Sequence, residues 1–352
     1  GINDIAYYVA VTQEYLNSGF RNSGHVAGIT LNHVAKTGLF FTPIALITFI
    51  ACGLGLAAWK VAMPAMILAG GLAILSITRL VRLFFKDQKT HLAFGIASLV
   101  LMSSFMSYIF VNGFFGQILS ISVSSLILVN VMEFVYSNKP GKLLLGEATL
   151  LVILSIFTYP NLLFAIYVLA IGFGCLVLFL NKRKLKFLSC CQYFAALSVG
   201  TILSIPFIPV AIGMIRSISV ANAGWPIAPM NPLGMFVWPE LIGSATAPLF
   251  QGVLWTSLFL FIILAFIRGQ IPRNEKIQAG LFAALSIVGT IAVITIRNRG
   301  FADYSAWKLM SYAIPLIFAA VLPVFIFGFQ YGKILLIFSL GVVSMSSLVT
   351  WN

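Results

Sequence analysis

Apolar stretches long enough to cross a lipid bilayer follow one another along most of this chain. A transmembrane helix needs about 20 apolar residues. Stretches of that kind occupy residues 38–58, 61–85, 92–111, 116–136, 143–158, 161–180, 187–215, 249–267, 277–296, 309–329 and 334–351. Hydrophobic residues make up 61% of the sequence and charged residues 8%, with a mean hydropathy of +1.05. A soluble domain carries about 25% charged residues, so the composition excludes one.

The sequence therefore predicts an all-α fold, a polytopic transmembrane helical bundle with about eleven spans. Residues 1–352 are treated as a single transmembrane domain. The chain begins at Gly1, without Met, directly in a polar segment. We expect it to be a segment of a longer protein with at least one further helix upstream.

The net charge of +13 reports membrane topology rather than nucleic-acid binding. Basic residues collect in short runs between apolar stretches, as the positive-inside rule predicts for cytoplasmic connections. The runs are Arg79, Arg82, Lys86 and Lys89; Lys139 and Lys142; Lys182, Arg183, Lys184 and Lys186; Arg268, Arg273 and Lys276; and Lys333. Separated by two crossings each, they all fall on one face, which we assign to the cytoplasm.

Three long polar segments are expected on the opposite, outer face: residues 1–37, 216–248 and 297–308. One conflict remains for residues 1–37. If 38–58 and 61–85 both cross completely, counting places 1–37 in the cytoplasm. Either a re-entrant element near Thr42-Pro43 or an incomplete crossing around Met63-Pro64 would resolve the conflict.

Residues 1–37 open with a predicted amphipathic helix that lies along the membrane interface. One face is expected to carry Ile5, Tyr8, Val9 and Leu16, and the other Thr12, Gln13 and Glu14. Asp4 stands at the start of this helix, where a carboxylate can cap free N–H groups. The same carboxylate could instead act as a general base that takes a proton from an acceptor hydroxyl.

A metal site is not expected. His25 and His33 lack the spacing of a helical metal pair. The cysteines, Cys52, Cys175, Cys190 and Cys191, suggest neither a disulfide nor a metal site. The sequence likewise indicates no cofactor.

The two later outer segments contain further candidate residues. Residues 216–248 are rich in Pro and Trp, and Trp225 could stack on a sugar face or anchor the loop at the headgroup level. Glu240 is the carboxylate of this segment. In residues 297–308, Arg297, Arg299 and Lys308 lie on the face that should be poor in cations. They could bind a phosphate headgroup, or pair internally with Asp303.

Several short motifs resemble those of integral-membrane glycosyltransferases of the C superfamily. The motifs are Asn3-Asp4-x-x-Tyr7-Tyr8, a turn at Asn112-Gly113-Phe114-Phe115-Gly116-Gln117, Tyr159-Pro160, Gly224-Trp225-Pro226, and Asp303-Tyr304-x-x-Trp307-Lys308. Protein mannosyltransferases and bacterial enzymes that use polyprenyl-phosphate sugars belong to this superfamily. In it, the first external loop carries an Asp that acts as base or positions the acceptor, and Asp4 corresponds to it by order and context. The family often has two acidic residues there; the candidates here are Asp4 and Glu14.

The resemblance implies transfer of a sugar from a polyprenyl-phosphate donor to a glycan, lipid or protein acceptor at the outer membrane face. The implied catalytic residue is Asp4, with Arg297, Arg299 and Lys308 on the donor phosphate. The expected substrate-binding residues are Asn3, Tyr8, Trp225, Glu240 and Tyr304. The expected location is the plasma membrane of a bacterium or archaeon.

Two other functions stay open. A transporter or flippase for lipid-linked saccharides would keep ionisable residues near the bilayer midplane and often shows internal repeats. In the predicted spans, Glu133 and Glu147 stand near helix ends, and no repeat is visible. A catalytically inactive relative that binds lipid headgroups is the third possibility.

Overall fold

The structure is a computed structural model in which the described residues form helices. It describes residues 4–18, 41–85, 90–101, 109, 115–137, 140–182, 185–208, 211–212, 274–275, 277–286, 315–324, 326–327, 333–334, 336–337 and 340. The helices are α1 (Asp4–Ser18), α2 (Phe41–Leu54), α3 (Ala58–Phe84), α4 (Thr90–Leu101), α5 (Phe115–Tyr136), α6 (Lys142–Thr158), α7 (Pro160–Leu180), α8 (Phe187–Leu203), α9 (Ile277–Ser286) and α10 (Pro315–Val324).

Among the described residues, three helices are long and apolar enough to cross a membrane: α3, α5 and the Leu163–Leu180 part of α7. The described residues therefore support the expected all-α membrane-protein class, but not the number of spans. Shorter apolar helices cover parts of other predicted spans, namely α4, α8, α9, α10 and Thr42–Leu54 of α2. Residues 249–267 lie outside the described part, and the total of about eleven crossings remains a prediction.

Contacts divide the chain into two units. Unit 1 comprises Gly1–Ala73 and Ile109–Ala223, and unit 2 comprises Ile74–Tyr108 and Gly224–Asn352. Each unit is described separately below.

Helix α5 of unit 1 is buried along almost all of its length and packs against α6 and α7. It is rich in serine, yet its serines do not need partners on other helices. Ser120, Ser122 and Ser125 each donate a hydrogen bond to the carbonyl four residues earlier. Such internal bonds satisfy a hydroxyl in an apolar environment, so α5 can be buried on all sides despite its serines.

Helices α6 and α8 approach each other closely. Thr149 of α6 donates a hydrogen bond to the Ala196 carbonyl of α8 (2.9 Å). A Cβ placed on Gly200 would lie 2.6 Å from the Thr149 carbonyl oxygen. Small residues at a helix contact permit this short separation, and Gly200 therefore sets the distance between the two helices.

Helix α2 ends in a Schellman motif. Gly55 has a positive φ of 63°, the left-handed conformation that glycine adopts without strain. The Leu56 N–H bonds the Ala51 carbonyl (2.9 Å) and the Gly55 N–H bonds the Cys52 carbonyl (3.3 Å). A tight connection follows to α3, which continues without interruption through Pro64.

The predicted break near the end of the 187–215 stretch is confirmed. The α-helix ends at Leu203, and a 3₁₀ turn, Ile205–Phe207, contains Pro206. Proline removes a backbone donor and clashes with the preceding turn, which explains why α8 stops here.

In unit 2, aromatic contacts join the end of α3 to later helices. The Phe84 ring lies 5.3 Å from that of Phe282 on α9, and the Phe85 ring lies 5.8 Å from that of Phe327. On α4, one face is buried at helical spacing: Ala93, Ile96, Ala97 and Val100.

Candidate functional site

Helix α1 begins at Asp4, as the sequence predicts, but its buried face differs from the expected one. Tyr8, Val11 and Thr12 are buried, with Thr12 0% exposed. The assignment of Thr12 to a polar outer face was therefore wrong. Positions 8, 11 and 12 lie on one side of a helix, and α1 as a whole is in contact with α2.

Contacts from α1 and α2 reach three helix ends in unit 1. The Tyr8 ring packs edge-on against Phe115, the first residue of α5, with ring centroids 6.3 Å apart. The Gln13 side chain accepts a hydrogen bond from the backbone N–H of Ala58, the first residue of α3 (3.1 Å). The hydroxyls of Thr42 on α2 and Thr158, the last residue of α6, share a hydrogen bond of 3.1 Å.

The Gln13 contact has a clear physical role. The first N–H groups of a helix have no partner within it. Gln13 supplies an oxygen to one of them, and its own amide nitrogen donates to Asn17 (3.0 Å). The sequence analysis assigned Gln13 to the polar face of α1, and in the structure this side chain links α1 to α3.

The start of α5 and the end of α6, which these contacts reach, lie at the same end of an antiparallel helix pair. Asn130 of α5 bonds Leu144 and Glu147 of α6, across the short connection 137–141. The two helices therefore run antiparallel, and Phe115 and Thr158 share the end opposite that connection. Half of the motif predicted as a turn is helical, since Phe115, Gly116 and Gln117 form the first turn of α5. Tyr159 alone separates α6 from α7, as expected for a connection.

Asp4 and Glu14 do not form a carboxylate pair through this helix. They stand ten positions apart in α1, which corresponds to about 15 Å along the axis. The expected second acidic residue beside Asp4 is thus not supplied by Glu14.

The other predicted site residues divide into two groups. Tyr8, a predicted substrate-binding residue, is 1% exposed and packs on Phe115. The rest lie outside the described residues: Asn3, Trp225, Glu240, Arg297, Arg299, Tyr304 and Lys308, together with His25 and His33. Within the described ranges, no group of three or more His, Cys, Asp or Glu side chains could hold a metal ion.

A polar cluster that the sequence analysis missed joins three helices of unit 1. The Asn130 amide donates to the Leu144 carbonyl (3.0 Å) and to a Glu147 carboxylate oxygen (3.1 Å). Its carbonyl accepts a hydrogen bond from the Tyr193 hydroxyl of α8 (2.8 Å). The Tyr193 ring stacks on Phe134 at 4.2 Å. We call Asn130, Glu147 and Tyr193 the interhelical polar cluster.

A signal for part of this cluster was present in the sequence. Asn130 and Glu147 lie about equally far from the short connection 137–141. A short connection between helices makes them antiparallel neighbours, so the meeting of these two residues could have been predicted. Tyr193 could not be found this way, because the contact depends on how α8 packs.

Comparisons of this chain with family models, curated proteins and solved structures found no match.

Proposed function

We propose that this chain is an integral-membrane glycosyltransferase that uses a polyprenyl-phosphate sugar donor. The observation that carries the proposal is the position of α1. The helix that begins at Asp4 is fastened by Tyr8 and Gln13 to the starts of α5 and α3. In α3 and in α5, the start of the helix is the end opposite the one that leads to a basic connection.

The topology argument starts from those basic connections. Arg82 lies in the last turn of α3, and Lys142 begins α6. The positive-inside rule assigns both to the cytoplasm. The start of α3, the start of α5 and the end of α6 then belong to the outer face, and α1 lies with them.

Helix α2 fits this arrangement as a helix that does not cross the membrane. Thr42, near its start, bonds Thr158 at the outer end of α6, while Leu54, at its end, is joined by a short connection to the outer end of α3. Its 14 residues span about 21 Å, less than the hydrocarbon core of about 30 Å. Since α3 continues through Pro64, an incomplete crossing there is not needed. Residues 1–37 are then outside, as the proposed chemistry requires.

The chemistry follows from this placement. The acceptor hydroxyl oxygen attacks the anomeric carbon as the bond from that carbon to the phosphate oxygen breaks. Asp4 takes the acceptor proton, and the polyprenyl phosphate leaves with the bonding electrons. Arg297, Arg299 and Lys308 are proposed to stabilise the charge on the departing phosphate.

The partners and location belong to the same proposal. The donor lipid stays in the bilayer, so the reaction takes place at the outer surface of a bacterial or archaeal plasma membrane, within the cell envelope. The acceptor is a glycan, lipid or protein hydroxyl. The finer fold, about eleven spans with interfacial helices and re-entrant outer loops, is proposed with it.

The test is sugar transfer from labelled polyprenyl-phosphate sugars by the full-length protein in membranes. We expect Asp4→Asn to lower turnover by about 100-fold, because the amide can cap a helix but cannot take a proton. Glu14→Gln is the matched control, since it neutralises the other carboxylate of α1 and should keep turnover near wild type. Equal activity of wild type and Asp4→Asn would remove the base assignment.

A flippase or transporter for lipid-linked saccharides is the second candidate, and the interhelical polar cluster favours it. Ionisable residues among membrane helices commonly mark transport pathways. Glu147 of α6 is such a residue, and it accepts a hydrogen bond from Asn130 of α5. Proteoliposomes containing a short-chain labelled lipid-phosphate sugar separate the two candidates. A flippase moves the label between leaflets without an acceptor, and Glu147→Gln slows that movement. A transferase releases polyprenyl phosphate only when an acceptor is present.

A further inference from the structure

Three exposed lysines lie where helices of unit 1 meet connections that the positive-inside rule assigns to the cytoplasm. Lys142 is the first residue of α6, and Lys186 immediately precedes α8. Lys182 lies two residues beyond the end of α7. The side chains of all three are exposed. They belong to two separate connections, and the packing of the helices determines how close these connections lie.

Helices α6 and α8 run in the same direction. Thr149 of α6 donates a hydrogen bond to the Ala196 carbonyl of α8 (2.9 Å). Three residues further along α6, the Val152 Cβ would lie 2.9 Å from a Cβ placed on Gly200, which is four residues further along α8. Because the contacts advance together along both helices, α6 and α8 begin at the same end of unit 1.

This register brings the lysines to one area of the membrane surface. Lys142 precedes Thr149 by seven residues and Lys186 precedes Ala196 by ten, so the two lysines lie within about 5 Å of each other along the helix axes. Axes of packed helices are about 8–10 Å apart. Lys182 is four Cα–Cα steps from Lys186, which is at most about 15 Å. The three flexible side chains can therefore approach one lipid headgroup.

Large apolar side chains lie beside these lysines and are themselves exposed. Leu143 and Phe187, each directly after a lysine, are 89% and 84% exposed. Phe179, whose carbonyl accepts the backbone N–H of Lys182 (3.1 Å), is 80% exposed. In a membrane, such apolar side chains contact acyl chains while lysine side chains extend to the headgroups. The surface thus matches both chemical parts of a phospholipid.

The charge of this end favours an anionic lipid. Residues 133–147 and 179–188 carry six cations and two carboxylates, Glu133 and Glu147. Glu147 already accepts a hydrogen bond from Asn130. A zwitterionic lipid carries its own cation and brings no net charge, whereas phosphatidylglycerol brings one negative charge. Each Lys near the cytoplasmic leaflet favours anionic lipid by about fivefold.

We propose that this surface binds an anionic phospholipid of the cytoplasmic leaflet. We call it the basic rim and define it by the exposed lysines and the apolar side chains beside them: Lys142, Lys182, Lys186, Leu143, Phe179 and Phe187. The lipid phosphate lies among the lysines, and the acyl chains lie against the apolar side chains. Both α6 and α8 begin at the basic rim and both contribute to the interhelical polar cluster, so a bound lipid stabilises their contact. The proposal is independent of the catalytic assignment, because a transferase and a flippase could both bind lipid here.

The test uses the full-length protein in nanodiscs that contain equal amounts of phosphatidylglycerol and phosphatidylcholine with the same acyl chains. Native mass spectrometry measures the ratio of the two lipids that the released protein retains. The combined variant Lys142→Gln, Lys182→Gln and Lys186→Gln should lower the ratio of phosphatidylglycerol to phosphatidylcholine by at least about fivefold, because it removes the cations of the basic rim.

Lys60→Gln is the matched control. Lys60 is also an exposed lysine beside an exposed aromatic side chain, Trp59, but it lies at the start of α3, which the proposed topology places outside. Its removal should leave the lipid ratio at the wild-type value.

Thermal unfolding gives a second readout. Nanodiscs with phosphatidylglycerol should raise the unfolding temperature of the wild type by about 2–4 °C over nanodiscs of phosphatidylcholine alone. The combined variant should lose this rise, and Lys60→Gln should keep it. The soluble headgroup glycerophosphoglycerol should give no rise, because it lacks the acyl chains that contact Leu143, Phe179 and Phe187.

The proposal is overturned if the combined variant and Lys60→Gln retain the two lipids in the same ratio, because the preference would then come from the overall charge of the protein. It is also overturned if the soluble headgroup stabilises the wild type as much as the lipid does. If the combined variant does not fold, the three single substitutions take its place. Each should lower the lipid ratio, and an unchanged ratio in all three contradicts the proposal.

Discussion

Asn130 uses both N–H groups of its side-chain amide and its carbonyl oxygen in bonds to other residues. The donors reach α6 through Leu144 and Glu147, and the acceptor receives the Tyr193 hydroxyl of α8. Asn130 is 1% exposed, so water cannot replace these partners. Asn130 of α5 thereby links three helices, α5, α6 and α8, through its side chain.

Substitutions in the interhelical polar cluster should have graded effects. A hydrogen bond between membrane helices contributes about 0.6 kcal/mol on average. Tyr193→Phe loses one bond and should lower the free energy of unfolding by about that amount. Asn130→Leu loses three bonds and leaves the buried Tyr193 hydroxyl without its acceptor, and should cost about 2 kcal/mol or more. Reversible unfolding in mixed micelles measures both.

Ser198→Ala is the control for this series, because that exposed α8 hydroxyl bonds its own helix. If Asn130→Leu and Ser198→Ala had the same effect, the cluster would not stabilise the contact between these helices.

At the scale of elements, small residues determine how closely helices pack. Gly200 lets α8 approach the α6 backbone, and the Thr149–Ala196 hydrogen bond depends on that approach. Gly172 of α7, by contrast, has open space where a side chain would begin. Two glycines in similar apolar helices therefore have different roles.

Gly200→Ala should destabilise the protein by about 1–3 kcal/mol, the usual cost of overpacking. The new methyl group would meet the Thr149 carbonyl, which is backbone and cannot turn aside. Gly172→Ala should be neutral or slightly stabilising, because alanine favours helix more than glycine does. Thermal unfolding of the two variants beside wild type gives the comparison, and equal stability would contradict the close contact.

At the scale of the whole molecule, the proposal assigns α1 to the outer side of the membrane. The proposal places the α2–α3 connection outside and the α5–α6 connection in the cytoplasm. Leu56 and Gly141 are exposed residues of these two connections, so cysteines introduced there can report their sides.

After replacement of the native cysteines, Leu56→Cys should react with a membrane-impermeant thiol reagent in intact cells. Gly141→Cys should react only after permeabilisation. The measurement is the labelled fraction under each condition. Labelling of both from one side would show that α3, the 92–111 span or α5 does not cross as proposed, and would remove the support for an outer Asp4.

The sequence by itself determined the class of this protein. Its apolar stretches exceed what a soluble domain can bury, and hydropathy depends on residue type rather than on contacts. The end of α8 near Pro206 was predictable because proline acts on the local backbone. The meeting of Asn130 with Glu147 could also have been predicted, from the short connection between their helices.

Tertiary structure decided which polar residues have partners. Thr12 and Gln13 are neighbours in sequence, yet one is buried without a hydrogen bond and the other binds the start of α3. Nothing in a single helix distinguishes them, since the difference arises from the packing of α1 against α2 and α5. Tyr193 likewise meets Asn130 through the packing of α8 in unit 1, where Gly200 lets α8 lie close to α6. Helix periodicity defines a face, but the neighbouring helices decide what that face contacts.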